Sequence, residues 1–455
     1  MGTMERPRIL VVGGGFAGVE CARRLERQLA PSEAEIAMIA PFSYELYLPL
    51  LPQVAAGVLT PQSVAVSLRR MLRRTRIVPG GAVGIDAKAK MVIARKITDE
   101  LIAEPYDYLV LAPGSVTRTF DIPGLVDHAR GMKTLAEAAY VRDHVISQLD
   151  LADAATTQQE RISRLQFVVV GGGYAGTETA ACLQRVTASA VRRYPRLNPN
   201  LIKWHLVDIA PRLMPELGEN LGDTAMELLR KRGIQISLGV SVAEVEDESV
   251  KLTDGRVIPC RTLIWTAGVA ASPLVATLDA ETVRGRLAVT ADMRVPQCDG
   301  VFSLGDAAAV PDLAAGDGAV CPPTAQHAQR QGKQVADNVI ASLRGQELKP
   351  YFHKDLGLVV DLGGADAVSK PMGVELTGIA AQGVARGYHL MALRTNVAKV
   401  RVITNWLLNA TAGDDFVRTG FQSRRPARLQ DFEYTDSYLT KDQIRSHTAS
   451  LRARQ

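Results

Sequence analysis

The sequence lacks features that mark several classes of protein. Its 455 residues include five cysteines, no two of which are closer than 23 residues or form a CxxC pair. Neither a zinc site nor a local redox dithiol is indicated, so we expect no bound metal. Isolated thiols fit a reducing compartment. No apolar run of about 18 residues is present, so we expect no transmembrane helix.

The charge balance is ordinary as well. Lys and Arg number 53 against 48 for Asp and Glu, which gives a net charge of +5. This small excess does not indicate a nucleic-acid partner, although it suits an anionic membrane surface or a phosphate-rich ligand. The N-terminal segment shows no secretory signal, so a cytoplasmic protein is expected. The length predicts two or three domains.

What the sequence does contain is one motif written twice. LVVGGGFAGVE spans residues 10–20 and VVVGGGYAGTE spans residues 168–178. In each, a G-x-G-x-x-G pattern lies between a short apolar run and a segment with helical spacing. In this context the glycines permit a tight turn, close approach to a pyrophosphate and close helix packing. We therefore predict two Rossmann-like α/β domains with dinucleotide-binding turns at Gly13, Gly15 and Gly18, and at Gly171, Gly173 and Gly176.

The two copies differ at the end of the following strand. After the second copy, that strand ends at Asp208, whose carboxylate would accept a hydrogen bond from a ribose 2′-hydroxyl and repel a 2′-phosphate. NAD is therefore favoured over NADP, and a loop carboxylate without a ligand is the alternative. After the first copy Ala40 takes the place of the acid, and Glu45 is the nearby carboxylate in sequence. A flavin held permanently in the first site and a nicotinamide exchanging in the second would make a hydride relay.

Three further segments resemble the two-dinucleotide-binding flavoprotein superfamily. Two look like its crossovers after each nucleotide domain, and the third looks like its second flavin-binding segment, in which the aspartate binds the ribityl or pyrophosphate region of FAD. They are YDYLVLAPGS with Gly114, TLIWTAGV with Gly268, and GVFSLGDAAAVPD with Gly305 and Asp306. The resemblance implies an NAD domain inserted into a discontinuous FAD domain. The predicted bounds are 1–118 and 290–375 for FAD, 119–289 for NAD, and 376–455 for a C-terminal segment.

Within the superfamily, the chain most resembles the type II NADH dehydrogenases, which are single-subunit NADH:quinone oxidoreductases. LYLPLLPQVAAGVL is similar to their proline–leucine segment near the flavin, and Glu178 in GGGYAGTETA stands where they have a glutamate near the nicotinamide. In CPPTAQHAQRQ, Ala325 and Gln326 match their quinone-site helix, whereas Arg330 replaces a glutamine. The resemblance implies FAD and NADH as cofactors and a quinone as acceptor. It also implies a ping-pong reaction without proton pumping, with Glu178 and Gln326 near the reacting groups.

Alternatives remain for these assignments. Glu178 also suits the first turn of any helix, where the helix dipole stabilises a carboxylate. Gln326 also suits a helix start capped by Thr324, and a lone thiol such as Cys321 is more often simply buried. The rival functions are an NADH-dependent reductase of a protein or another small acceptor, and a non-catalytic NADH-sensing flavoprotein. A disulfide reductase is disfavoured because residues 22–181 contain no cysteine.

The C-terminal segment has a different character. An apolar stripe at helical spacing is interleaved with basic residues, which is typical of a helix lying in a membrane interface. We therefore expect peripheral association with the inner face of the cell membrane, and packing against the flavin domain or a second copy in a homodimer is the alternative. The tail after Thr419 is polar and basic, as in partly disordered termini. The stripe comprises Val400, Ile403 and Leu407, and the basic residues are Arg394, Lys399 and Arg401.

Overall fold

The computed structural model describes residues 6–316, 318–353, 357–420, 426–433 and 438–452. Its framework is two β-sheets, and in each the central strand of the parallel part leads into one of the two glycine motifs. The apolar runs before the glycines are buried on both faces, as expected for strands covered by helices.

The first sheet has seven strands. Five are parallel, and a long strand at one side continues into an antiparallel meander. In spatial order the strands are Val301–Ser303, Tyr108–Leu111, Arg8–Val12, Glu35–Ala40, Arg76–Asp86, Met91–Lys96 and Leu101–Pro105.

The second sheet has five strands, all parallel. Its central strand is again the one that precedes the glycine motif. All five strands lie between Tyr108–Leu111 and Val301–Ser303 of the first sheet in sequence, so the second domain is inserted into the first, as predicted. In spatial order they are Ala129–Gly131, Thr262–Trp265, Gln166–Val170, Lys203–Asp208 and Ile234–Leu238.

The two crossover segments pair with each other. Ser115–Thr117 and Val269–Ala271 form a two-stranded antiparallel ribbon that joins the domains beside both glycine turns. The remaining strands form small sheets around this framework. They are Tyr44–Leu46 with Ala65–Ser67; Val242–Val245, Ser249–Leu252 and Val257–Pro259; Thr282–Val283, Arg286–Ala288 and Ala308–Ala309; and Val359–Asp361, Ala367–Ser369 and Leu376–Thr377.

Helices cover both sheets and form most of the C-terminal segment. None of those described is both long and apolar enough to cross a bilayer. They are α1 (Phe16–Gln28), α2 (Leu51–Ala55), α3 (Pro61–Val64), α4 (Leu68–Met71), α5 (Leu125–His128), α6 (Leu135–Ala154), α7 (Gln158–Leu165), α8 (Tyr174–Ala190), α9 (Glu219–Lys231), α10 (Ala325–Leu343), α11 (Gly378–Ala392), α12 (Asn396–Ala412) and α13 (Lys441–Arg452).

The C-terminal segment is more ordered than its composition suggests. The predicted apolar stripe lies on α12, where Ala398 and Val402 are buried and the opposite face is exposed. The tail was expected to be partly disordered, and its residues 426–433 and 438–452 are folded against the rest of the chain. Leu429 and Ile444 anchor these stretches in the hydrophobic cores of the two domains.

Candidate dinucleotide sites

The two glycine motifs fold into turns of the same shape. Gly13 has a φ of +109° and Gly171 a φ of +113°, both in the region that disfavours any residue with a Cβ. A Cβ built on Gly18 or Gly176 would collide with the carbonyl oxygen of the first glycine in its own turn. These four positions therefore need glycine for reasons internal to the chain.

The middle glycine of each turn is different. Gly15 and Gly173 cap α1 and α8 in extended conformations, and an added Cβ at either would meet nothing within 4 Å. The protein leaves open space in front of a helix N-terminus, whose free N–H groups attract phosphate. At both positions the space suits a pyrophosphate approaching the backbone.

The first turn opens into a cavity of about 290 Å³. Its lining is mostly apolar, and it includes Ala40 at the end of the second strand together with Gly114, Gly305 and Asp306 from the predicted flavin segments. An apolar cleft with a few convergent polar groups is the usual form of a cofactor site. The structure thus brings four separate stretches of sequence to one cavity.

The polar groups of this cavity are linked to one another. Asp306 Oδ2 accepts a hydrogen bond from Ser115 Oγ at 2.6 Å, and Lys133 Nζ lies 2.8 Å from the same hydroxyl. The backbone N–H of Gly305 donates to Gln331 Oε1 at 2.8 Å. Asp306 is therefore held at the cavity wall by a neighbour from the crossover ribbon and a nearby cation.

The second turn carries the predicted acid. Asp208 ends its strand, and its carboxylate accepts hydrogen bonds from the backbone N–H groups of Gly172 and, at 2.6 Å, Ala210. Gly268, with a φ of +93°, lies in the crossover after strand Thr262–Trp265, which pairs with the strand that precedes the glycine turn. The acid therefore lies directly beside the glycine turn, where a nucleotide ribose would be held in a Rossmann-like domain.

Glu178 lies in the first turns of α8 and is 8% exposed. Burial raises the pKa of its carboxyl well above the ordinary value, and the backbone N–H of Asp361, which donates to Glu178 Oε1 at 2.9 Å, opposes this shift. Burial therefore favours the protonated, neutral form of this carboxyl over the carboxylate.

A chain of buried hydrogen bonds leads away from Glu178. The side chain of Asp361 accepts from Gln53 Nε2 at 2.7 Å, and Gln53 Oε1 accepts from the Trp406 indole N–H at 2.7 Å. Gln53 lies in the proline–leucine segment and Trp406 lies on α12. The start of α8 is thus connected to the C-terminal segment through polar groups.

Gln326 and Ala325 start α10 but do not line the cavity, which contacts this helix at Ala328. Gln326 Nε2 donates to the carbonyl of Gly357 at 2.9 Å, and Gln326 Oε1 accepts from Arg330 at 3.2 Å. Both ends of the amide are engaged within the protein. Arg330, which departs from the family motif, therefore serves to hold Gln326.

Comparisons with known proteins identify the family of the chain. The family model for pyridine nucleotide-disulphide oxidoreductases matches residues 7–332. A type II NADH:quinone oxidoreductase of Mycobacterium tuberculosis is 30% identical over 419 residues, which cover 88% of each chain. The chain belongs to the type II NADH:quinone oxidoreductases.

Other members of the family support the same assignment. A second M. tuberculosis type II enzyme is 32% identical over 395 residues, covering 82% of this chain and 80% of that one. A Staphylococcus aureus enzyme of the same name is 29% identical over 385 residues, covering 82% and 92%. The solved structure of NDH2 from Plasmodium falciparum in complex with NADH has a TM-score of 0.84 at 18% identity, covering 91% of this chain and all of the other. The predicted fold class is confirmed.

This type II enzyme keeps none of its cysteines as a redox pair, despite the name of the wider family. All five thiols are free and buried. Cys321 does not line the cavity, and burial raises the pKa of its thiol to about 11. Its sulfur lies near Asp312 and His327, with the three donor atoms within 4.8 Å of one another. Burial therefore disfavours the thiolate, the reactive form of cysteine.

Two buried clusters escaped the sequence analysis. Tyr47 and His389 share a hydrogen bond of 3.1 Å between the phenol oxygen and Nδ1, and burial lowers the pKa of His389 to about 4. Arg394 Nε lies 2.9 Å from Glu45, and the same guanidinium contacts Glu20. Glu45 is therefore an ion-pair partner of the C-terminal segment. Alternation with apolar neighbours on its short strand would place Glu45 on the exposed face, and the partner that allows its burial is remote in sequence.

Proposed function

We propose that this chain oxidises NADH and reduces a quinone, with FAD resident in the first cavity and NADH exchanging at the second turn. FAD bound there supplies the chemistry, since it takes a hydride from the nicotinamide and passes two electrons to the acceptor. The observation that carries the proposal is the pair of matching turns, of which only the second is followed by a strand that ends in an acid. We also propose the predicted bounds 1–118 with 290–375, 119–289 and 376–455 as the FAD, NAD and C-terminal units.

The first turn and the cavity polar groups would hold FAD. The backbone at Gly13 and Gly15 would face its pyrophosphate, and Asp306 would bind the ribityl or pyrophosphate region. Gly114 and Gly305 have positive φ values of +75° and +67°, which favour glycine. Because glycine has no side chain, the backbone at both positions can approach the cofactor closely. Lys133 lines the same cavity and offers a positive charge to the cofactor.

The second turn would hold NADH. Gly171 and Gly176 shape the turn, Gly173 leaves the space for the pyrophosphate, and Asp208 would bind the adenosine ribose. Gly268 belongs to the neighbouring crossover, and its lack of a side chain leaves space beside the turn. A carboxylate at this place disfavours NADPH, because it would face the extra phosphate.

The quinone half of the reaction needs protons. Glu178, kept neutral by burial, is the proposed donor, and Asp361 positions it. Gln382 on α11 is also buried, and its amide finds no hydrogen-bond partner among the described residues. It lies seven residues before His389, which places both on one face of the helix. These groups are proposed to face the quinone, with Gln326 and Ala325 supporting the start of α10 nearby.

The exposed face of α12 is proposed to lie on the inner face of the cell membrane. Large apolar side chains project from it without cover, and surface patches of this kind mark membrane or protein contacts. Basic residues at Lys399 and Arg401 flank it, as suits anionic lipid. A second copy of the chain is the competing occupant. The exposed residues are Val397, Val400, Ile403, Leu407 and Leu408.

The catalytic proposal is tested by anaerobic stopped-flow spectroscopy of the flavin. NADH should bleach the flavin absorbance rapidly, and a short-chain quinone added afterwards should restore it. Bleaching without recovery would leave the NADH site standing and point instead to a protein acceptor. A flavin that NADH does not bleach would contradict the role of the second turn.

The membrane proposal is tested by co-sedimentation with anionic vesicles. The double variant Val400→Glu with Leu407→Glu should lose vesicle binding while it keeps activity with a water-soluble quinone. Val257→Glu is the matched control, because Val257 is 59% exposed against 61% for Val400 but lies in the inserted domain. If both proteins still bind vesicles, α12 is not the contact. If the double variant instead changes from dimer to monomer in sedimentation velocity, the face covers a second copy.

A further inference from the structure

The described parts of the C-terminal tail dock on both dinucleotide-binding domains. Residues 426–433 lie against the inserted domain, and residues 438–452 lie against the first sheet. Two separately anchored stretches at the very end of the chain bridge the two halves of the molecule. The anchors are backbone and core contacts, which hold a segment more firmly than surface charge pairs do.

The first stretch is fixed by buried contacts. Leu429 is 2% exposed in the core of the inserted domain, and its backbone N–H donates to the carbonyl of Val126 at 2.9 Å. The N–H of Ala427 donates to the Tyr140 hydroxyl at 3.0 Å. This stretch therefore has a defined path across the domain.

The second stretch is fixed in the same way on the other side. The backbone N–H of Leu439 donates to the carbonyl of Val83 at 2.8 Å, and Ile444 on α13 packs against Val83 and Ile93. Ile444 approaches the strand so closely that a Cβ on Gly84 would lie 2.6 Å from it. The glycine at this strand position accommodates the tail.

Between these anchors, the tail reaches the flavin cavity. Glu433 and Tyr438 both line it. The carboxylate of Glu433 accepts from the backbone N–H of Thr117 in the crossover ribbon at 2.9 Å. The Tyr438 hydroxyl lies 3.2 Å from Ser272 Oγ, beside the partner strand of that ribbon. The tail is thus tied to both strands of the ribbon where they border the cavity.

We infer that the C-terminal tail is part of the FAD site and retains the cofactor. Tyr438 supplies a wall of the cavity, Glu433 fixes the tail to the crossover, and the Ile444 anchor keeps both in place. The inference rests on the proposed function, because it takes FAD as the occupant of this cavity. A cofactor walled in by the tail dissociates only after the tail has moved, so undocking governs its release.

The test is the rate at which FAD leaves the purified full-length protein, followed by the fluorescence of released flavin. Ile444→Asp undocks α13 without touching the cavity, and Tyr438→Ala removes the wall while leaving the anchor. Both should release FAD about tenfold faster or more, as expected when a dissociation rate reports a lost contact. Arg445→Ala is the matched control, because it lies on the exposed side of the same helix and should release FAD at the wild-type rate.

Unchanged release in both Ile444→Asp and Tyr438→Ala would overturn the inference. Circular dichroism separates undocking from general unfolding, and Tyr438→Phe keeps the ring and should retain FAD if the wall is the contact. The readout needs no NADH and no quinone. A protein that binds no FAD at all would contradict the proposed function. If NADH bleaches the flavin normally but the tail variants release FAD at the wild-type rate, only this inference is contradicted.

Discussion

The first and second glycine turns have the same backbone geometry and opposite surroundings. The first opens into an apolar cavity that the C-terminal tail helps to line, and Ala40 occupies the place of the acid. The second has Asp208 beside it, and its glycines do not line that cavity. Under the proposed function, the same type of turn would retain a nucleotide at the first site and let one exchange at the second, according to what encloses it.

The last residue of the doubled motif shows the same contrast. Glu20 and Glu178 occupy equivalent positions in α1 and α8, and both are buried. Glu20 contacts the guanidinium of Arg394, so it is part of an ion-pair cluster. Glu178 accepts a backbone N–H from the Asp361 strand and has a raised pKa. Glu20 is thus bound in an ion-pair cluster, whereas Glu178 is the proton donor that we propose.

Substituting the middle glycine of each turn should have the largest effects, because each substitution should block one of the two nucleotide sites. Gly15→Val should yield a folded protein without flavin, because the added side chain enters ligand space and not protein. Gly173→Val should keep its flavin, but NADH should no longer bleach it. Flavin content and stopped-flow absorbance measure the two effects, and each variant is the control for the other. Loss of flavin in Gly173→Val alone would reverse the assignment of the sites.

Neutralising Glu20 should cost stability and leave the chemistry intact. Glu20→Gln leaves the buried guanidinium of Arg394 with Glu45 alone, and a hydrogen bond to a charged group contributes about 2 kcal/mol. The thermal unfolding midpoint should fall by about 2 °C, with little change in the turnover of folded protein. Glu33→Gln, which disrupts an exposed ion pair with Arg344, should leave the midpoint unchanged. A large loss of turnover in Glu20→Gln would contradict the structural role.

Neutralising Glu178 should have the converse effect. Glu178→Gln keeps the hydrogen bond from Asp361 but cannot donate a carboxyl proton, so quinone-driven reoxidation should slow about tenfold to a hundredfold. In the wild type, this rate should fall as pH rises through the raised pKa of Glu178, because only the protonated form donates. The variant should lose that pH dependence while its bleaching by NADH stays fast. A variant with wild-type rates at every pH would leave Glu178 a purely structural residue.

Removing the charge of Asp208 should have the smallest effect. Asp208→Asn retains one oxygen for the backbone N–H groups but weakens the hydrogen bond to the ribose. The KM for NADH should rise about tenfold, as for loss of one charge-assisted hydrogen bond. The preference of the enzyme for NADH over NADPH should decrease, because the negative charge that repels the 2′-phosphate is gone. Steady-state kinetics with both nucleotides measure this, with Asp254→Asn as an exposed control in the same domain; an unchanged preference would make Asp208 a loop carboxylate.

Local patterns predicted the turns well because their geometry is set locally. The strand, the positive φ of Gly13 and Gly171 and the following helix all lie within a few residues of one another. The insertion of one domain into the other was also predicted, because the resemblance of the motifs to the flavoprotein superfamily implies it. The position of Asp208 beside its turn followed from the parallel order of neighbouring strands.

The remote contacts were not predictable in this way. Glu45 lies near the first motif in sequence, yet it pairs with Arg394 near the start of α12, far along the chain. The amide of Gln326 donates to the carbonyl of Gly357, and Ala328 lines the cavity in its place. The tail is polar and basic overall, which is typical of disordered segments. Its two buried apolar residues, Leu429 and Ile444, are too few for the composition to indicate that it packs against the domains.

The interleaving of the two domains sets the order in which the molecule can be made. Strand Val301–Ser303 completes the first sheet only after the whole second sheet has left the ribosome. Domains form as units while the chain is being synthesised. The inserted domain can therefore close around its own core first, whereas the wall containing Gly305 and Asp306 arrives later and Tyr438 arrives last. Under the proposed function, capture of FAD would thus be a late event in biosynthesis.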